Sequence, residues 1–417
     1  MKAGFWKLDI TPPLDAPLVG SWTDLSVTNY LQPLHCNAIV LDDGKSKIAI
    51  ASVEVCSVRE GICHEIRLEV EKRCGISYAN TIINATHVHA GPKVTGDPAD
   101  SYSQNLKMQI VTAIWMADKC MSTVRLGVGK TKNEGFTHNR RLTDPNGEIA
   151  MNWFDPKSLQ DCVENMTDRD TDVLAIRFED EDGNVKGFII NYSNHNNARG
   201  GTEINADFGA YIGEKLAAIY GKDVVTVLLL GFCGNVNWID YRDLSWVENP
   251  WHWRRVGDSL LSNILDISSR LYYPNDLKLT ANYITYQEKE RDFNDYDSKI
   301  DRTFDYQPQG GLEVEQEALR GQPLRMLDIH ISMLAIGDDI AIVTCNAEVF
   351  SEYALRIKDK SPYMFTIMVE LANGGINYIC TPGSYKKGGY EVRKPATLVE
   401  YEAGERMLAA MLEMIKK

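Results

Sequence analysis

Thr81-Ile82-Ile83-Asn84-Ala85-Thr86-His87-Val88-His89-Ala90-Gly91-Pro92 is the stretch on which the reading of this chain turns. Thr81 to Ala85 has the length and β-branched character of a short buried strand. Gly91-Pro92 then stops it. Two imidazoles therefore stand near a strand's carboxyl end, two positions apart, where an extended chain points both to one face. Paired imidazoles at such an end, beside an open loop, suit a metal or a proton-transfer site. A bare His-x-His is structural or incidental more often than functional, so the rest of the chain has to decide.

Upstream of this stretch the pattern is β-α-β. Lys47 to Val55 is rich in Ile, Ala and Val. Ser57-Val58-Arg59-Glu60 reads as a capping box, with the Ser hydroxyl on a helix amide and Glu60 reaching back. The helix carries apolar Ile62, Ile66 and Val70 and ends at Cys74-Gly75, a left-handed stop. Downstream, Asn105 to Cys120 is a helix and Val124 to Gly129 a strand. Asp172 to Phe178 and Val185 to Tyr192 form a hairpin turning at Glu181-Asp182-Gly183-Asn184. Ala206 to Tyr220 is helical, Val224 to Gly231 a strand, Trp253 to Leu271 a helix, and Asp276 to Glu288 extended. Asp292 to Gly311 reads as an exposed loop. Leu327 to Thr344 makes two strands turning at Gly337-Asp338-Asp339. Val349 to Asp359 is helical, Thr366 to Leu371 a strand, and Pro395 to Ile415 the closing helix. Strands alternate with helices and hairpins interrupt the alternation, so the class is α/β with mixed β-sheets and flanking helices. No repeat or linker divides the chain, and residues 1–417 are expected to form one domain.

Composition narrows the function classes. With 44 Lys+Arg against 58 Asp+Glu the net charge is -14, which argues against nucleic acid and anionic membrane partners, since both need a basic footprint. The longest apolar run, Val224 to Phe232, fits a buried strand and falls short of a membrane span. No apolar signal core opens the chain, and nine cysteines carry no C-x-x-C pair. Together these predict reduced thiols and a cytoplasmic address. The sequons at Asn84 and Asn191 both fall in apparent core strands.

Further candidates lie where other strands end. His195 closes the strand Gly187 to Asn194 and opens a polar, Gly-containing segment, Asn196-Asn197-Ala198-Arg199-Gly200-Gly201. A strand-end histidine also serves to bond a loop, but two strands ending alike are harder to assign to packing. Asp207 stands at a helix start, where capping is its expected role. Gly231-Phe232-Cys233-Gly234-Asn235-Val236-Asn237 follows the most apolar strand and permits close backbone approach to a ligand; it is not a phosphate-binding loop, and Cys233 reads as an inert buried thiol. Trp251-His252-Trp253-Arg254-Arg255 fits a pocket wall or a helix start equally well. Glu348 sits at a strand-to-helix junction, a common place for a first-turn charge. Tyr378 and Tyr390 occur in Gly-rich loops, which suits a site better than packing. Arg140, within Thr137-His138-Asn139-Arg140-Arg141, says little alone.

Taken together, these residues resemble the catalytic domain of the neutral/alkaline (non-lysosomal) ceramidases. The resemblance runs from Asp9-Ile10-Thr11-Pro12-Pro13 and Gly20 to Tyr390-Glu391. Its strongest element is Thr86-His87-Val88-His89-Ala90-Gly91-Pro92, near the family's T-H-T-H-S-G-P; Asn139-Arg140, His195, Gly234-Asn235, Glu348, Tyr378 and Tyr390 follow in order. The resemblance implies that His87, His195, Glu348 and Tyr378 are zinc ligands. It implies that His89, Arg140 and Tyr390 surround the scissile bond. A set of N and O ligands with one position left for water is the pattern of a catalytic zinc.

Two departures bear on the substrate. Ala90 replaces the family's Ser, and its G-D-x-S-P-N stretch has become Gly234-Asn235-Val236-Asn237-Trp238. The serine proposed to act near the site is missing, which favours attack by zinc-bound water. The family's immunoglobulin-like domain is expected to be absent, and no amphipathic membrane-docking helix is evident. The expectation is a zinc-dependent hydrolase cleaving an amide in a small soluble acyl compound, with a small-molecule substrate, no nucleic acid and no stable membrane insertion. An ester or glycosidic bond at the same zinc, or a catalytically silent metal-binding protein, are the alternatives.

Overall fold

The computed structural model describes residues 1–20, 24–292 and 322–416. Three mixed sheets make the frame. The first runs Thr81–Ala85, Lys47–Val53, His35–Asp42, Lys2–Asp9, with Ser122–Thr123 at its edge. The second runs Val225–Leu230, Val185–Tyr192, Asp172–Glu179, Arg125–Lys132. The third runs Leu279–Lys289, Met326–Ile336, Ile340–Cys345, Phe365–Val369.

Each sheet contains one parallel pair, and each pair is joined through a helix, because parallel neighbours need a crossover. Lys47–Val53 pairs with Thr81–Ala85 across helix Glu60–Cys74. Val185–Tyr192 pairs with Val225–Leu230 across Asp207–Tyr220. Ile340–Cys345 pairs with Phe365–Val369 across Ser351–Lys360.

Strand alternation sorts side chains into an inner and an outer layer. Ile39, Ile50 and Ile82 of the first sheet meet Leu174, Ile176 and Leu229 of the second and Leu334, Ile342 and Ile367 of the third in one shared cluster. Residues one position along face outward. Val40 and Ala51 pack with Ile66 and Ile110 of helices Glu60–Cys74 and Ser101–Lys119. Ala175 and Ile190 pack under Ile212 and Leu260. Met333 and Val343 pack under Ile357 and Met411. A one-residue slip in any strand would exchange these layers.

Buried amides lock the sheets together. Asn84 donates Nδ2 to the Glu370 carbonyl at 2.6 Å and accepts the Leu230 N–H at 3.2 Å, so it touches all three sheets' strand ends. Asn191 donates to the carbonyls of Leu229 and Met368, both at 2.9 Å. An apolar residue at either place would strand these groups, at about 1–3 kcal/mol each. Both sequon asparagines are thus core residues.

Several expected boundaries shift. The strand after Asn80 ends at Ala85, short of both histidines, and Gly91–Pro92 pairs instead with Leu18–Val19. The capping box does not form: Arg59 is the N-cap residue and makes no side-chain cap bond, while Glu60 lies 3.0 Å from His330 Nε2. Gly75 does close that helix, with φ of 65°. The closing helix covers only Ala403–Met414. The residues before it are drawn into the site's support, with Tyr378 N–H bonded to the Ala396 carbonyl at 3.1 Å. The loop expected over Asp292 to Gly311 lies, after Asp292, outside the described residues. No described helix is long and apolar enough to cross a membrane. All nine cysteines are free, and Cys120 alone is exposed.

Candidate metal centre

The carboxyl ends of the three parallel pairs converge, and the loops leaving them carry the candidate side chains. His87 follows the first pair. Its N–H bonds the Val55 carbonyl at 3.0 Å, and its φ of 61° bends the chain out of the strand. A left-handed non-glycine residue costs about 1–3 kcal/mol and gathers at functional sites. The bend, not an extended pleat, brings His87 and His89 together, edge to face with ring centroids 4.7 Å apart. His195 follows the second pair, and its ring centroid lies 4.8 Å from that of His87. Glu348 and Tyr378 follow the third pair. They sit side by side as partners in a two-residue parallel ladder, Glu348–Val349 against Tyr378–Ile379.

Backbone carbonyls set the tautomers. His87 Nδ1 is 3.0 Å from the Cys56 carbonyl, His89 Nδ1 is 2.9 Å from the Gly20 carbonyl, and His195 Nδ1 is 2.9 Å from the Cys233 carbonyl. A carbonyl only accepts, so each Nδ1 carries a proton, and His195 Nε2, which takes Arg140 Nη1 at 3.0 Å, keeps its lone pair. The three Nε2 atoms point into one space. His87 and His89 approach Nε2 to Nε2 at 3.1 Å. The Nε2 atoms of His87 and His195 each lie 3.4 Å from Glu348 Oε2.

That carboxylate oxygen is buried and has no hydrogen-bond partner. A buried carboxylate oxygen without a hydrogen bond, facing two imidazole Nε2 atoms, is unfavourable by itself and fits a cation. One ligand atom from each of His87, His195 and Glu348 lies within 4.8 Å of the others, and Cys56, His87 and His89 make a second such group. Burial alone would raise the Glu348 carboxyl, but His87, His195 and Tyr378 hold it well below the usual range. Burial, then the charge of Arg140, lowers His195 to about 4. Burial, then His87 and His195, holds His89 well below its ordinary value. For His87 burial works the same way, but Cys56 and the Glu348 carboxylate outweigh it and push the ring to about 10.

Arg140 ties the wall of the site. Its Nε donates to Glu391 at 2.7 Å, Nη1 meets His195 Nε2 at 3.0 Å, and Nη2 reaches the Gly234 carbonyl at 2.7 Å and the Tyr378 hydroxyl at 3.1 Å. Glu391 is fully buried and also takes Arg141 Nη1 at 2.5 Å. Burial would raise it, but the two guanidiniums hold it low. The Tyr390 ring lies 5.8 Å from that of Tyr378.

A cavity of about 420 Å³ opens above this cluster. His89, Arg140, His195, Tyr378 and Tyr390 line its floor; Trp153, Trp238, Ile239, Asn197 and Asn237 line its walls. The structure therefore brings all seven sequence-selected residues into one site. Trp153 carried no signal in sequence. Gly20 was legible only through the resemblance, and its role is steric: a Cβ there would stand 2.8 Å from the His89 ring. The Trp251-to-Arg255 segment is a helix start, with Trp253 buried in the core and Trp251 exposed. Asp207 takes the N–H groups of Arg199 and Phe208, at 2.6 and 2.7 Å, although Ala206 is the N-cap residue. The Cys233 thiol is buried, bonded to Glu370, and pushed well above its usual range by burial and that carboxyl.

No protein-family model matches the sequence, and no curated protein matches it. Solved structures do match. The chain is similar to the neutral ceramidase from Pseudomonas aeruginosa, with a TM-score of 0.78 at 16% identity, covering 99% of this chain and 74% of that one. A ceramidase solved in complex with C2 matches with the same TM-score and coverage at 15% identity. From the strand ends that gather the histidines to the ladder that pairs Glu348 with Tyr378, the chain has the neutral ceramidase fold.

Proposed function

We propose that this protein is a zinc-dependent hydrolase that cleaves an amide bond in a compact, polar acyl compound. The observation that carries the reading is the pair of Nε2 atoms, from His87 and His195, facing the orphaned Glu348 oxygen beneath an open cavity. His87, His195, Glu348 and Tyr378 are the residues that would hold the ion, two nitrogens and two oxygens, a donor set suited to zinc. Bound there, zinc supplies an activated water and polarises the scissile carbonyl.

The chain's own groups do the rest. His89 has its Nδ1–H fixed on the Gly20 carbonyl, so its Nε2 is the atom that takes a proton from the attacking water and returns it to the leaving amine. A lone pair serves one partner at a time. When His195 Nε2 ligates a metal, Arg140 Nη1 loses its acceptor and becomes a donor to the developing oxyanion, with Tyr390 as the second. Glu391 keeps Arg140 charged and in place. Trp153 and Trp238 limit water at the cavity wall.

Cavity size and lining support a small substrate. About 420 Å³ is in the lower half of the range for small-molecule sites, roughly 300–1,000 Å³. The lining mixes apolar Trp153, Trp238 and Ile239 with polar His89 and Arg140, which suits a compact acyl compound with one polar end. The test is elemental analysis of protein purified without added metal, followed by an activity panel. The panel offers short- and long-chain ceramides in detergent beside N-acyl amino acids, esters and acylated sugars. One zinc per chain and turnover of a compact amide are expected. Absence of bound metal would overturn the zinc assignment. Long-chain ceramide cleaved with kcat/KM near about 10⁴ M⁻¹s⁻¹ would overturn the substrate class.

A further inference from the structure

Glu370 is fully buried at the end of strand Phe365–Val369, and among the described residues no cationic side chain pairs with it. A carboxyl in that position is expensive to bury and adds little to stability, so its partners matter. Its Oε2 takes the N–H of Cys233 and the N–H of Val349, both at 2.9 Å, and its Oε1 takes the Cys233 thiol at 3.0 Å. Cys233 is the residue whose carbonyl holds His195 Nδ1. Val349 is the neighbour of Glu348, and its carbonyl takes the Gly234 N–H at 2.9 Å. The Glu370 backbone reaches the remaining segment: its carbonyl takes Asn84 Nδ2 at 2.6 Å, three residues before His87. Its own N–H bonds the Leu230 carbonyl at 3.0 Å.

We propose that Glu370 is a positioning residue that orients His195 and Glu348 for the metal by fixing the Cys233 and Val349 peptides with one carboxyl group. One side chain thereby couples two ligand segments that belong to different sheets. Residues that orient ligands in this way typically change metal affinity by about 10- to 100-fold when altered. The consequence for affinity rests on the zinc reading above; the orienting role does not.

The test uses Glu370→Gln in the full chain, with Glu370→Asp as the conservative companion that keeps the carboxyl. The first readout is zinc affinity by competition with a chromophoric chelator. Glu370→Gln is expected to weaken binding about 10- to 100-fold and Glu370→Asp to recover part of it. The second readout needs no metal: the ¹⁵N spectrum of the histidine rings in metal-free protein. Wild type is expected to show His195 protonated at Nδ1, and Glu370→Gln a mixed or reversed tautomer. Unchanged affinity together with an unchanged His195 tautomer would overturn the inference. If wild type binds no zinc, the ring spectrum still decides whether Glu370 orients His195, and the metal reading alone fails. Should Glu370→Gln not fold, the same two readouts on Glu370→Asp decide, with a shift toward weaker binding and mixed tautomer expected.

Discussion

Replacing His89 by Ala separates its proposed role from that of His87 more sharply than any other change. The two rings touch, and Cys56, His87 and His89 also form a group capable of holding an ion. The structure nevertheless gives them different surroundings. His87 is buried and faces the orphaned Glu348 oxygen at 3.4 Å. His89 lines the cavity and is anchored to the Gly20 carbonyl. Truncating His89 removes a ring at the edge of an open cavity and leaves His87, His195 and Glu348 in place. Metal content should stay at one per chain, with stability little changed. A positioned acid–base group contributes roughly 10²–10⁴ to rate, which is about 2.7–5.5 kcal/mol of barrier. The assay pairs elemental analysis with the rate on whichever compact amide the wild type turns over. Retained zinc with a rate loss in that range is the expected result. If His89→Ala loses metal and activity together, His89 is a ligand and the assignment of the two imidazoles is wrong.

Three other outcomes follow from the geometry. His195→Ala, like His87→Ala, should abolish stoichiometric zinc while leaving a folded chain; full zinc in either variant, by the same elemental analysis, would refute the ligand set. Gly20→Ala adds a Cβ that meets the His89 ring at 2.8 Å, at a φ of 91° that disfavours a side chain. It should cost about 1 kcal/mol or more in stability and lower kcat by displacing His89, so wild-type kcat would show that the ring is not held there. His252 lies against Trp238 at a ring distance of 4.8 Å and is lowered to about 4 by burial and then by Arg255. Because its folded value is depressed, its contribution to stability is complete above about pH 6.5 and is lost as pH falls toward 4. The ceiling is about 3 kcal/mol, which solvent screening lowers toward about 1. Denaturant midpoints between pH 7 and 4 should fall less steeply in His252→Phe than in wild type, and identical slopes would refute the assignment.

Local pattern determined much about this chain. Apolar runs bounded by glycine and turn residues located the strands, and 3.6-residue spacing located the helices, because both signals are written in consecutive residues. Gly75 and the Gly337-Asp338-Asp339 turn were legible for the same reason. So were the seven residues that gather at the candidate site, through the ceramidase-like order of motifs in the sequence. Tertiary structure decided what depends on distant neighbours. Helix Glu60–Cys74 lost its capping box because Glu60 is engaged by His330, which is 270 positions away. The closing helix began at Ala403 because the segment before it bonds the Tyr378 strand. A bend separating His87 from His89 was foreseeable from their differing roles, but the tautomers of the three imidazoles were not, because they are set by carbonyls at Cys56, Gly20 and Cys233. Trp153 joined the cavity, and Trp253 left it for the core, through packing between elements that no local spacing records. Glu370 is the extreme case: an ordinary glutamate after a strand in sequence, it acquires its role only when three sheets bring Cys233, Val349 and Asn84 to one carboxyl-bearing residue.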